Sequence, residues 1–410
     1  MNIASFIARR VSFNEEKSFS RFIIRLATVA TAISVAVMIV ALAFVNGFQE
    51  TVSKKVFSFN GHIRVQHYEP LRVNIAEEYP ISRNDSVENY IRQNAEVTQL
   101  QPYATKSAIL RTPETIEGVI FKGVDSSYNF KELDRFLKAG RWIHFTDSNY
   151  ANEIVISEYT ATQLKVGVDT SVIIYFIQPH GQKPRTRKLK IVGIYKTGIE
   201  VYDNIFALGD IRLIRRLNDW KANDIGGYEI FVKDYEKMDN VSEGIFNGLP
   251  QQWNSQTMHE IYPSIFDWLN LQNLNKRVIL GIMIVVAIIN LITCLIILVL
   301  ERTRMVGVLK SFGAKNITIQ GIFASEGAII CVRGILWGMV LGLGICFLQL
   351  KTGFIRLNEE AYYMSTAPVK IVWLQVAAVA ASTLVICFLA LLIPTMITRS
   401  IRPSKAVQFR

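Results

Sequence analysis

The sequence predicts a membrane α-helical fold: four transmembrane helices, with a large α+β extracytoplasmic domain inserted between the first and second. Two observations carry this. Half of the 410 residues are hydrophobic, the mean hydropathy is +0.25, and the apolar residues gather into four stretches near the roughly 20 residues needed to cross a bilayer core. The lysines and arginines in excess of acidic groups, meanwhile, sit beside those stretches and not in the long polar region between the first two.

Residues 26–48 and 278–300 each give 23 positions without a charge. Residues 334–350, extended upstream by 327–332, form a third stretch, and 371–397, interrupted by Pro394, a fourth. "ALA" at 41–43 resembles a small-residue cleavage site, but the first apolar run is far longer than a signal core, so it is expected to remain as an anchor.

The formal net charge of +11 invites a nucleic-acid partner. Residues 50–275, however, hold 26 Lys/Arg against 28 Asp/Glu, so the soluble portion has no basic face to lay on a duplex. The excess lies in residues 1–25, 301–315 and 398–410, which is the positive-inside pattern of a membrane protein. It predicts both termini in the cytoplasm of a bacterial inner membrane. The organisation is then a cytoplasmic segment 1–21, a first span 22–48, a periplasmic domain 49–275 and a second span 276–300. A cytoplasmic loop 301–321, a third span 322–350, an outer loop 351–370, a fourth span 371–397 and a cytoplasmic tail 398–410 follow.

The inserted domain is long enough to bury a core. "HIRVQHY" (62–68), "TSVIIYFI" (170–177), "LKIVGIY" (189–195) and "YEIFV" (228–232) are rich in β-branched and aromatic residues and predict strands. Residues 84–94, 130–140 and 210–220 predict helices, the second closed by Gly140 and the third capped by Asp210. No regular βαβ rhythm links them, hence α+β. "IQPHGQKPRTR" (177–187) joins two predicted strands as a projecting hairpin tip. Residues 261–277 carry apolar positions into the second span without a break, which predicts one continuous helix.

Self-contained chemistry is missing. No P-loop, G-x-S-x-G or H-E-x-x-H motif is present. His62 and His67 stand on opposite faces of a predicted strand, which argues against a metal pair. The four cysteines, Cys294, Cys331, Cys346 and Cys387, fall in or beside apolar spans and are expected to pack between helices. In the third span Glu326 and Arg333 share a face, open to structural pairing or to a role in transmission. Gly334, Gly338 and Gly342 repeat every four residues and predict close helix packing, within the chain or at a dimer seam.

Directly after the second span stands "ERTRMVGVLKSFGA" (301–314). Its basic groups hold it at the cytoplasmic surface, and Met305, Val308, Leu309 and Phe312 follow i, i+3, i+4, i+7, one face of a helix. Such a stripe offers a grip to a partner or to the bilayer edge.

This stretch resembles the signature of the FtsX-like ABC transporter permeases. The C-terminal "LLIPTMITRSIRPSKAVQFR", with Pro394, Pro403, Ala406 and Arg410, resembles the closing pattern of the same family. "NGFQ" (46–49), "FKGVD" (121–125), "IVGIYKTGIEVYDNIFAL" (191–208) and "LNEEAYYMSTAPVKI" (357–371) are similar to its lipoprotein-releasing members of the LolC/LolE type. The resemblance implies a subunit that is not itself an enzyme and holds no cofactor. ATP and Mg would be bound by a separate cytoplasmic ABC ATPase dimer, contacted through Glu301, Arg304, Met305, Val308, Leu309 and Phe312. A second permease copy or a paralogue, a lipoprotein substrate and a periplasmic carrier complete the implied partners. Phe44, Val45, Phe48, Tyr362, Tyr363 and Met364 match regions that bind the lipoprotein's lipid, and Pro179, His180, Gly181, Lys183 and Pro184 a carrier-binding hairpin that is shorter here. The implied function is mechanical extraction of lipoproteins from the inner membrane. MacB-like export of drugs or peptides, and FtsX-like signalling to a cell-wall hydrolase, are the alternatives.

Overall fold

The computed structural model describes residues 19–69, 79–146, 149–178, 182–358, 362 and 364–390. The chain divides into two compact units. One comprises the chain up to Glu50, Trp268–Arg356 and the chain from Thr366; the other comprises Thr51–Asp267 and Leu357–Ser365.

Helix α1 (Phe19–Asn60) runs for 42 residues, well past the predicted end of the first span at 48. It stops where Gly61 takes a positive φ of 71°, a conformation that costs glycine little, and Gly61 N–H returns to Phe57 O. The α+β unit then unfolds in order: β1 (Ile63–His67), β2 (Ile81–Ser82), α2 (Asp85–Gln93), β3 (Val97–Arg111), β4 (Ile116–Val124), β5 (Leu137–Gly140), β6 (Glu153–Ser157), α3 (Glu158–Leu164), β7 (Ser171–Phe176) and β8 (Arg185–Tyr195). It continues with α4 (Glu200–Asp203), β9 (Phe206–Asp210), α5 (Ile211–Leu217), β10 (Asp224–Ile225), β11 (Gly227–Val232), α6 (Met238–Phe246), β12 (Trp253–Thr257) and α7 (Met258–Ile261).

Ten of these strands form one mixed sheet in the order β12-β1-β11-β3-β4-β9-β6-β8-β5, with β7 paired to both β3 and β8. Among the described residues only β4–β9 and β6–β8 are parallel. The four predicted strands are all present, β8 starting earlier than its apolar core suggested because Arg185–Lys188 pair with β7. Helices α2 and α5 form as their caps require: Asn84 Oδ1 accepts from Ser86 N, and Asp210 Oδ1 from Arg212 N.

The helix expected at 130–140 is absent. Residues Phe130–Glu132 and Asp134–Phe136 make two short 3-10 turns, and Leu137–Gly140 is strand β5. Gly140 does not cap a helix; it pairs with Gly193 of β8 at φ +77°, where a side chain would meet Val192 O at 2.2 Å. The amphipathic spacing of 130–140 is overridden by sheet pairing.

In the other unit, α8 (Pro263–Glu301, 39 residues) is the continuous helix that residues 261–277 predicted, opened by a proline at its first position. Then come α9 (Thr303–Ser311), α10 (Asn316–Thr352) and α11 (Trp373–Ala390). Helices α1, α8 and α10 are long and apolar enough to cross a membrane; the described part of α11 is a shorter apolar helix. Ile23, Ala27, Leu291, Leu295, Leu298, Ile330 and Cys387 bring all four together in one buried cluster. The four cysteines are buried and free.

The glycines of α10 pack within the chain. A Cβ added at Gly334 would meet Thr31 Cβ at 2.7 Å, at Gly338 Val35 Cβ at 2.7 Å, and at Gly342 the Ala36 backbone at 3.1 Å. All three neighbours belong to α1.

Candidate functional site

Helix α8 breaks at Arg302, whose φ of −101° and ψ of 21° leave the helical region. Thr303 Oγ1 donates to Leu300 O at 2.7 Å, helping to close the break. Helix α9 then runs to Ser311 and ends at Gly313, at φ +84°. Val306 is buried against Val299, Ile319 and Phe323, with Met305 and Ala314 packed beside them.

This divides the predicted stripe. Met305 and Leu309 are half-buried, whereas Val308 is 41% and Phe312 86% exposed, and Glu301 and Arg304 are also exposed. Val306, outside the i, i+3, i+4, i+7 set, is the residue that fixes α9 to its own chain. Ile317, 74% exposed, adds to the apolar surface next to Phe312 in sequence.

Beneath this turn lies a buried carboxylate. Glu326 is 1% exposed, and Arg302 NH1 stands 3.5 Å from Glu326 Oε1. Its charge partner is therefore on the break after α8. Arg333 stands two turns further along α10, half-buried, in a groove with Arg25.

Of the residues implied for lipid contact, Phe44, Val45 and Phe48 are half-buried in the helical unit. Phe48 packs edge-on to Trp268 at 5.1 Å. Neighbouring Gly47 leaves no room for a Cβ, which would meet Pro368 at 2.7 Å, and Asn46 Nδ2 donates to Gln375 Oε1 at 2.6 Å. Tyr362 is exposed and Met364 buried, both in the α+β unit; Tyr363 lies outside the described residues. Lys183 and Pro184 are exposed on the β7–β8 connection. Pro179, His180 and Gly181, like Pro394, Pro403, Ala406 and Arg410, also lie outside them.

A separate buried cluster lies at the end of α1, within the α+β unit. Lys122 on β4 and Glu229 on β11 are fully buried and 2.8 Å apart, and Arg64 on β1 reaches Glu229 at 3.3 Å. Lys122 Nζ also donates to Phe59 O, a carbonyl of the last turn of α1, and Arg64 to Asn60 Oδ1. Two cations and one carboxylate thus meet the negative end of a helix dipole, which offsets the spare positive charge. The Phe59 and Tyr128 rings cover Lys122 at 4.8 and 5.6 Å. Burial, and then the Glu229 charge, push the Tyr128 hydroxyl well up from its ordinary value.

Further bonds hold the same helix end. Lys55 Nζ donates to Thr197 O at 2.6 Å, and Arg135 to Ser58 Oγ at 2.6 Å. The Thr197 loop is in turn tied by Asp203, which accepts from the backbone of Thr197 and Gly198. Burial raises the Asp203 carboxyl above its ordinary value even against those bonds. Local spacing in 121–125 and 191–208 does not show these long-range bonds. Their one mark in the sequence is Lys122, a lysine between Phe121 and Gly123 in an otherwise apolar stretch.

Residues 26–245 match the family described as MacB-like periplasmic core domain, and residues 277–403 the FtsX-like permease C-terminal family. The lipoprotein-releasing system transmembrane protein LolE of Haemophilus influenzae is 23% identical, over 99% of each chain. The corresponding LolC of Neisseria meningitidis is 22% identical, over 98% of this chain and 97% of its own. The periplasmic region of MacB from Actinobacillus actinomycetemcomitans matches 50% of this chain and 91% of its own at 13% identity, with a TM-score of 0.33.

Proposed function

The chain belongs to the FtsX-like permeases that carry a MacB-like periplasmic core domain, and on that premise we propose that it is the permease subunit of an ATP-driven lipoprotein-release system. It is a multi-pass inner-membrane subunit with four spans and both termini in the cytoplasm. The ATPase is a separate protein, and lipoprotein leaves the membrane for a periplasmic carrier. The full-length relationship to LolE and LolC supports the cargo class.

The observation that carries the mechanism is helix continuity. Helices α1 and α8 are each membrane-length and apolar, and each runs unbroken into the residues of the α+β unit. The last turns of α1 are fastened there by Lys55, Lys122 and Arg64. A helix fixed at its end moves what it is fixed to. In this reading the ATPase closes on the exposed Val308 and Phe312, the displacement passes along the membrane helices, and the periplasmic domain changes position. Phe44, Val45, Phe48, Tyr362, Tyr363 and Met364 contact the acyl chains, and the 177–187 hairpin meets the carrier. A second permease, copy or paralogue, completes the transporter.

Reconstitution of the permease with its ATPase and a triacylated lipoprotein in proteoliposomes tests this. ATP should release lipoprotein to a soluble carrier; hydrolysis without release to any carrier would sink it. The match to the MacB-like core across 26–245 favours mechanotransmission export of drugs or peptides as the second reading. Efflux of such compounds by the same proteoliposomes would support it.

A further inference from the structure

Helices α1 and α10 run side by side in the same direction. Gly334 faces Thr31, Gly338 faces Val35 and Gly342 faces Ile39, so each step of four on one helix matches a step of four on the other. Glycine lets the backbones approach this closely, and the flanking side chains then stand up as two walls. Between them lies a groove of about 440 Å³.

The walls have the same pattern. On α1 the ridge reads Arg25, Val29, Ile33; on α10 it reads Arg333, Trp337, Leu341. Each is an i, i+4, i+8 row that begins with arginine and continues apolar. Because the helices are parallel, both guanidinium groups fall at the same end of the groove. Thr28 and Ala32 lie between the ridges. Thr28 Oγ1 donates to Ile24 O at 2.8 Å, so the floor presents little polarity. Val29, Ile33, Trp337 and Leu341 are all exposed.

A site that is dicationic at one end and apolar along its length matches one class of molecule. We propose that this groove binds an anionic phospholipid, its phosphate between Arg25 and Arg333 and an acyl chain along Val29, Ile33, Trp337 and Leu341. Guanidinium pairs suit phosphate oxygens, and basic pockets between membrane helices select anionic head groups. Arg333 has an interaction within the chain as well; a guanidinium has five N–H donors, enough to serve both. Free phosphate would make no use of the apolar rows. A helix of a second copy would press apolar side chains against two arginines, which is costly in a bilayer. Lipid binding in this groove requires neither cargo nor ATP.

Trp337 reports on occupancy. The full-length protein goes into phosphatidylcholine nanodiscs holding a minor fraction of either brominated phosphatidylglycerol or brominated phosphatidylcholine. Subtracting the signal of Trp337→Phe isolates quenching at Trp337. Brominated phosphatidylglycerol should occupy the groove in preference by about fivefold per arginine, an advantage that salt erodes. The preference should persist in Arg25→Lys/Arg333→Lys and vanish in Arg25→Gln/Arg333→Gln. If the glutamine double variant does not insert, Arg333→Gln alone should lose about fivefold. Equal quenching by the two lipids would overturn the proposal, as would a preference that survives the glutamine changes. So would Trp337 shielded from both lipids, which would mean that protein fills the groove.

Discussion

Lys122 donates its ammonium to the main-chain carbonyl of Phe59, and so a side chain in the middle of a ten-stranded sheet holds the last turn of a 42-residue helix. The bond sits in a sealed cluster with Glu229 and Arg64, where charge balance decides what each substitution does. Removing Lys122 leaves Arg64 and Glu229 paired. Removing the carboxylate leaves two buried cations facing one helix dipole.

Glu229→Gln should therefore destabilise the full-length protein more than Lys122→Met, by about 3–5 kcal/mol, the cost of stranding buried charge. Thermal melting of the purified variants reads this. An equal or reversed order would show that the helix carbonyl, and not the carboxylate, dominates the cluster.

His62 gives the protein a pH response in the acid range. Its ring stacks on Phe57 at 4.3 Å, and its Nδ1 accepts from Val232 N, a bond only the neutral ring can make. Burial lowers its pKa from 6.5 to about 4. A depressed value means that the unfolded chain takes up the proton first. The stabilisation is complete above pH 6.5 and falls away as the pH drops toward 4, by at most about 3 kcal/mol. His62→Gln, which keeps an acceptor but does not titrate, should flatten the melting temperature across that window.

Gly338→Ala and Gly344→Ala differ only in what the new methyl meets. At Gly338 it lies 2.7 Å from Ala32 O and Val35 Cβ; at Gly344 nothing lies within 4 Å. Gly338→Ala should lower the melting temperature of the protein in detergent by pushing α10 from α1, whereas Gly344→Ala should leave it unchanged. Equal effects would locate the close contact elsewhere.

Helix α9 separates folding from coupling. Val306→Asp puts a carboxylate among Val299, Ile319 and Phe323 and should destabilise by several kcal/mol. Phe312→Asp and Val308→Asp alter exposed surface and should leave melting unchanged while abolishing the stimulation of the partner ATPase by lipoprotein. Full coupling in both aspartate variants would move the contact away from this face.

Local pattern was sufficient where one element decides its own fate. The predicted strands, the helix at 84–94, the cap at Asp210 and the continuity of 261–277 into the second apolar run needed only propensity, a cap or an unbroken spacing. It failed at 130–140, whose helical spacing lost to pairing with β8, because a strand partner 50 residues away is invisible in a local window. At 301–314 the local pattern carried part of the answer. The stripe is real as a spacing and leaves Val308 and Phe312 exposed, while packing against Val299, Ile319 and Phe323, distant in the local window, buries Val306.

By itself the sequence determined the class of the molecule: apolar runs of membrane length, an inserted α+β domain without a catalytic motif, and glycines spaced for close helix contact. Those properties depend on composition and short-range periodicity, which each segment carries alone. Only the tertiary structure decided that the glycines face α1, that Glu326 answers to Arg302, and that Lys122, Glu229 and Arg64 meet at the end of a membrane helix. Each of these joins residues far apart in the chain, and what selects it is the cost of leaving a buried charge or a closely packed backbone unmatched.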